Sequence, residues 1–310
     1  MNALARAPTP SALEDTLIRD GFYSFGEALD ADDAARLLQK VRAARSFGPN
    51  LFLSQETFEA DPQFKGVNPR PGRNLTERFD ADCGFVEKSP VITGALTHIL
   101  GADYKIIDRK FVCGVPEKWI PDWLLARIKG NPVNNLGAYV KPEFRDITYF
   151  YGIDFHQDLI DHPDRTADFI TLYVYLHPVT REDAPLHVLP RSHQFGGTTF
   201  PHDLLHDGHE RWLYKDRRGN DAILPQTVLT GGAGYAALWH ACTLHGTQPD
   251  VADRERISLR YVIQRGQSAF PAIDRVNAML RGPLSLKQTR VDLDVLGVTQ
   301  MKTNHITDQT

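Results

Sequence analysis

The chain has 310 residues, enough for one large domain or two small ones around a sizeable core. It is 42% apolar and 24% charged, an ordinary globular composition. Its formal net charge of −4 comes without any block of like charge, which argues against nucleic acid as a partner. No segment approaches the ~20 apolar residues of a membrane span, and the start, MNALARAPTPSALEDTLIRDG, lacks the continuous apolar stretch of a secretory signal. The three cysteines, Cys83, Cys113 and Cys242, form no CxxC pair. A reducing cytoplasm is expected rather than a disulfide framework.

In chain order, PTPSALEDTLIRDG predicts a short helix, with Ser11 as N-cap, Glu14 three residues on at capping-box spacing, and Gly21 as the stop. FYSF predicts a short strand. DADDAARLLQKVRAAR predicts a second helix, with acids in its first turn, arginines in its last, and Leu37, Leu38 and Val41 on one face. Residues 46–80 are rich in Gly, Pro, Asn and Asp and read as loop. SPVITGALTHILG predicts a third helix: Ser89 caps it, Pro90 takes the first helical position and Gly101 ends it. From Tyr104 the character changes. YKIIDRKFVCGV is rich in β-branched and aromatic residues, as strands are. DWLLARIKG is a helical interlude. ITYFYGIDFH, DFITLYVYL, LHVLP, GYAALWH and RISLRYVIQR then follow as short strands between turn signals. That spacing predicts an antiparallel sandwich or barrel under an N-terminal helical layer, in one domain over 1–310.

FHQDLIDHP, residues 155–163, sets His156 and Asp158 two apart. On a strand or at its end they point to one side, so both could reach one ion. A solvated surface turn offers the same pair. The stretch ALWHACTLHGTQPDVADRERISLRYVI adds a third ligand. His240 and His245 both fall in it; His245 precedes Gly246 and a loop and stands eleven residues before Arg256, so it is preferred, and His240 reads as a core histidine. Arg256 and Ser258 share a strand face. A guanidinium fork beside a hydroxyl is what a buried carboxylate needs, and Arg260, on the same face, is the rival. Two histidines and one carboxylate suit non-haem Fe(II). A Zn-dependent hydrolase could use the same donors but would leave Arg256 and Ser258 unexplained. A non-catalytic jelly-roll binding module would leave triad and clamp alike without purpose.

The blocks FHQD (155–158), APLHVLPRSH (184–193), LHGTQPD (244–250) and RIS (256–258), with the opening RDGFYSF...LDADDAARL, resemble the phytanoyl-CoA dioxygenase family, which includes the ectoine hydroxylases and belongs to the Fe(II)/2-oxoglutarate oxygenases. The resemblance covers about residues 10–265. It implies a double-stranded β-helix, a cupin-like jelly roll with flanking helices. It implies that His156, Asp158 and His245 hold Fe(II) and that Arg256 pairs with the distal carboxylate of the co-substrate 2-oxoglutarate, helped by Ser258. Thr247 matches a position that often contacts this co-substrate, and Thr171 and Tyr173 line the same pocket. The implied reaction consumes O2 and 2-oxoglutarate, releases succinate and CO2, and hydroxylates an unactivated C–H bond; desaturation or ring formation are its variants. A carboxylate at Asp158 argues against the related halogenases, which have Ala or Gly there.

This chain departs from the family in places. PRSH stands where the family has PGSH, which puts Arg191 near the active-site mouth, with His193 beside it as a group supporting the metal site. Residues 114–150, with Trp119 and Trp123, are unfamiliar and are expected to shape the substrate pocket; Tyr104 to Val112 reads as a strand from which Arg109 or Lys110 could reach a substrate anion. The tail 270–310 matches nothing. A small-molecule substrate is expected; the sequence names neither that substrate nor the oligomeric state.

Overall fold

The computed structural model of the chain describes residues 8–60, 74–295 and 298–307. Its centre is a curled ten-stranded sheet. The strands, in chain order, are β1 Phe22–Glu27, β2 Lys105–Gly114, β3 Val133–Asn135, β4 Thr148–His156, β5 Phe169–Tyr175 and β6 Leu186–Val188, followed by β7 Asp203–His206, β8 Arg211–Lys215, β9 Asp221–Pro225, β10 Thr227–Leu229, β11 Tyr235–His240, β12 His245–Thr247 and β13 Arg256–Gln264. The spatial order is β1-β11-β5-β13-β2-β4-β12-β6-β10, with β3 on β4; β7, β8 and β9 make a separate meander. Pairing is antiparallel except for a short parallel contact between β2 and β4.

The period of two on β5, β11 and β13 explains both layers. Ile170, Leu172, Val174, Leu238, Ile257, Leu259 and Ile263 point outward. There they bury against Leu13, Leu17, Leu37, Val41, Ile92 and Leu96 of the helices, the main core of the molecule. The alternate residues, Thr171, Tyr173, Trp239, Arg256, Ser258 and Arg260, point into the curl. All but Arg260, which is part-exposed, are buried. An apolar outer face is what burial beneath helices requires, and the polar inner face is free to build a site.

The helices Pro10–Asp20, Ala31–Ala44 and Pro90–Leu100 match the expectation. Two caps differ: Thr9, not Ser11, accepts from the Ala12 amide, because Pro10 starts the helix a residue earlier, and Ser89 stands at the N-cap of the third helix without a side-chain cap bond. Glu14 leaves the capping box for ion pairs with His98 and Arg275. The stretch read as loop holds the short helices Gln55–Ala60 and Asn74–Arg78; residues 61–73 lie outside the described part. The 114–150 segment packs toward the helical layer. Trp119 lies against the main core, and Trp123 stacks near Phe58 and Tyr139.

Candidate metal and co-substrate site

β4 ends in His156 and β12 begins with His245, and the two stand directly opposite in the antiparallel register. Their rings lie 4.3 Å apart. Each Nδ1–H donates to a carbonyl two residues upstream, His156 to Asp154 at 2.9 Å and His245 to Thr243 at 3.0 Å. That fixes the tautomer and turns both Nε2 atoms into the curl. Asp158 opens a short turn just after β4. Gln157 between them is buried and pins the segment: its amide donates to the Gly196 and Cys242 carbonyls and its oxygen accepts from the Thr198 amide.

The Asp158 carboxylate is 1% exposed and fully oriented. Oδ2 accepts from the Thr171 hydroxyl at 2.6 Å and the Trp239 indole at 2.8 Å. Oδ1 faces His245 Nε2 at 3.7 Å and takes Arg260 Nη2. The donor atoms of His156, Asp158 and His245 all lie within 4.8 Å of one another, so the three could hold one metal ion. Burial, helped by the neighbouring His245, pushes His156 down to about 4, and burial lowers His245 as well. Burial alone would raise Asp158, but Arg260 and the two histidines hold it well below the usual carboxylate range. At neutral pH the donors are therefore already in the protonation states a metal needs.

Arg256 lies on the adjoining strand, 1% exposed. Its Nη1 donates to the Tyr173 hydroxyl at 2.6 Å and to Ser258 Oγ at 3.2 Å, while its Nε has no partner. Among the described residues no carboxylate pairs with it. A buried guanidinium held only by hydroxyls is an incomplete arrangement, and a carboxylate-bearing ligand completes it. One cavity of about 70 Å³ is lined by Arg256 and both histidines, with Thr247, Tyr173 and Trp239 among its walls. Thr247 Oγ1 donates to the Ala184 carbonyl at 3.0 Å. The donor set and the unpaired Arg256 together fit Fe(II) and 2-oxoglutarate.

Other candidates lie elsewhere. Arg109 points outward to Asp80 and Glu87, because its register on β2 faces the helices. His193 turns to the Ile18 carbonyl, and His240 to Asn277, on the outer side of β11. Arg191 is exposed, holds the left-handed φ of 72° that favours the family's glycine, and donates to the Ile223 carbonyl. Trp119 is away from the cavity; of residues 114–150, Phe150 reaches its wall. Sequence reasoning missed Trp239 and Gln157. Trp239 was legible as an inward position two residues from Ala237 on a strand, but nothing in the sequence joins it to Asp158.

A curled β core holding a His-Asp-His set beside a carboxylate-seeking arginine defines the class of non-haem iron oxygenases that consume 2-oxoglutarate. Within that class, the chain belongs to the phytanoyl-CoA dioxygenase (PhyH) family, whose model matches residues 18–258. It is 29% identical over 239 residues to a probable alpha-ketoglutarate-dependent hypophosphite dioxygenase of Stutzerimonas stutzeri, covering 74% of this chain and 70% of that protein. It is 21% identical over 263 residues to the L-proline trans-4-hydroxylase of Streptomyces griseoviridis, covering 80% and 83%. Among solved structures, EvdO2 from Micromonospora carbonacea var. aurantiaca in complex with 2-oxoglutarate superposes with a TM-score of 0.51 at 14% identity, over 87% of this chain and 97% of that one. The epimerase SnoN of nogalamycin biosynthesis gives 0.50 at 16%, over 91% and 97%. The fold is the expected jelly roll. The chain is an Fe(II)- and 2-oxoglutarate-dependent dioxygenase, and the zinc-hydrolase and binding-module alternatives fall away.

Proposed function

We propose that His156, Asp158 and His245 hold the iron, that Arg256 with Tyr173 and Ser258 receives the distal carboxylate of 2-oxoglutarate, and that the enzyme hydroxylates a small charged molecule. The observation that carries this reading is the burial of Arg256, next to three converged metal donors, with no carboxylate partner among the described residues. When bound, iron and 2-oxoglutarate supply the activation of O2, with one oxygen atom going to succinate beside released CO2 and the other to the substrate. The chain's own residues orient and shield. Thr171 and Trp239 hold Oδ2 of Asp158, so Oδ1, which Arg260 also contacts, would be the oxygen offered to a metal. Val112, Phe150, Leu186 and Trp239 form apolar walls that exclude water.

The substrate class follows from the rest of the lining. Arg260 and Lys110 sit opposite each other on β13 and β2 and share the cavity with Asp161. Charges of both signs at the cavity wall suit an ionic metabolite better than an apolar acyl chain. The three cysteines are free and buried, which suits a reducing cytoplasm. No helix among the described residues is long and apolar enough to cross a membrane.

The test is a screen for 2-oxoglutarate-dependent succinate release over small anions and zwitterions, with mass spectrometry of the product. A gain of one oxygen on a compact ionic substrate supports the reading. A loss of two hydrogens instead would reassign the outcome to desaturation or ring formation. Turnover of acyl thioesters alone would overturn the substrate class.

A further inference from the structure

The segment after β13 lies beyond the family match, which ends at Ser258, yet it grips the metal-ligand segment from both sides. Downstream of Asp158, the Leu284 carbonyl accepts from the Ala167 amide at 2.7 Å and the Leu286 carbonyl from the Asp164 amide at 2.9 Å. Thr289 Oγ1 donates to the Ile160 carbonyl at 3.0 Å. Upstream of His156, His305 Nδ1 donates to Asp154 Oδ2 at 2.7 Å. Asp154 is 1% exposed and is the residue whose carbonyl orients His156. Its carboxylate otherwise holds the Phe155 amide through Oδ1, and its own amide donates to the Pro132 carbonyl. Ile306, 5% exposed, packs with Phe155 and Trp212 and lies over Gly246, the residue next to His245.

We infer that residues 284–295 and 298–306 form a strap that sets the two histidine ligands, with His305 as a positioning residue for His156 acting through Asp154. The physical reason is orientation. An imidazole ligand is only as well aimed as the carbonyl its other nitrogen donates to, and that carbonyl is fixed here by a buried carboxylate which the strap holds. Ile306 does the same for His245 by packing, since it closes the side of β12 that faces away from the cavity. The strap reaches both ligands from one chain segment, so it couples their spacing. None of its described residues lines the cavity.

This inference rests on His156, Asp158 and His245 as the metal site, and the experiment separates the two. The probe is Fe(II) alone, titrated anaerobically into the metal-free 310-residue chain, with Co(II) absorption as a second reading of ligand geometry. His305→Ala should weaken metal binding up to about 10-fold, the low end of the range for direct partners of ligating histidines because it acts one contact further out, and alter the Co(II) spectrum. His305→Gln, whose amide can still donate to Asp154, should recover most of the affinity. Arg275→Ala, which removes an exposed ion pair on the helix before the strap, should bind metal like the wild type. Thermal midpoints of all variants without metal report folding. If His305→Ala does not fold, Asp154→Asn, which keeps the carbonyl and the Phe155 contact, takes its place and should show a smaller loss in the same direction. Wild-type affinity and spectrum in a folded His305→Ala or Asp154→Asn would overturn the strap and leave the metal site standing. Unchanged binding in His156→Ala would overturn the metal site and the strap with it.

Discussion

Arg256 and Arg260 stand four residues apart on one strand face and divide the work between them. Arg256 is buried with two hydroxyl partners, whereas Arg260 already has Asp158 and, at 3.6 Å, Asp108. Removing one partner of a buried charged pair costs roughly 3–5 kcal/mol. Arg256→Ala should therefore weaken 2-oxoglutarate binding about 100- to 5,000-fold at 1.36 kcal/mol per decade. Arg256→Lys keeps the charge but loses the fork and should fall between. Equilibrium titration of 2-oxoglutarate at saturating Fe(II) checks this; a large loss for Arg260→Ala with none for Arg256→Ala would reverse the assignment. At this scale the sequence was informative where two residues share one strand, as with Arg256 and Ser258. It was silent on Trp239, because the indole meets Asp158 across 81 positions of chain.

At the scale of elements, the short strand β12 matters more than its three residues suggest. It bridges β4 and β6 and carries His245, Gly246 and Thr247 in that order. Gly246 is needed for close approach: a Cβ there would lie 2.5 Å from Ile306 Cδ1 and 2.6 Å from the Ile153 carbonyl. The carbonyl belongs to the neighbouring backbone and cannot swing aside. Gly246→Ala should destabilise the chain by about 1–3 kcal/mol, as overpacked cores do, and weaken metal binding by parting His245 from His156. Adding Ile306→Ala should not restore it, since the Ile153 contact remains. Denaturant midpoints and metal titration check both; a neutral Gly246→Ala would mean that β12 can shift freely. The strands with strong β-branched and aromatic runs were legible: β4, β5, β11 and β13 are buried over most of both faces, and β2 over its C-terminal half. β12 was too short to show a period. The β7–β9 meander was hidden by its charged turns and exposed positions such as Leu205 and Ile223, which blur the alternation.

Across the whole molecule, buried histidines set a pH limit. Burial lowers His187 and His240 to about 4 and His193 and His202 to about 3, and none of these is a metal donor. Their folded values lie below the ordinary value of 6.5, so the unfolded chain takes up protons first as pH falls. Stability is then full above about 6.5 and declines toward pH 4, by up to ~1.4 kcal/mol per pH unit for each group. Asp250, which burial raises to about 7, acts in the opposite sense but is one group against four. The metal-free chain should melt several degrees lower at pH 5 than at pH 7. Calorimetry at the two pH values checks this, and an equal or higher midpoint at pH 5 would contradict it. The jelly-roll class and the spacing of the candidate ligand blocks were legible in the sequence. The tail was not, because its hold on the ligand segment runs through backbone carbonyls and one histidine, which leave no pattern of spacing.

The proposed arrangement is Fe(II) on His156, Asp158 and His245 and 2-oxoglutarate on Arg256, in one cavity. Its most direct test is an anaerobic titration of the metal-free chain with Fe(II) and 2-oxoglutarate, followed by visible absorption. The wild type should develop a weak charge-transfer band that needs both components, that zinc cannot replace, that disappears in His156→Ala, and that requires far more 2-oxoglutarate in Arg256→Ala. A wild-type chain that binds both components without such a band, or a band that persists unchanged in His156→Ala, would contradict it.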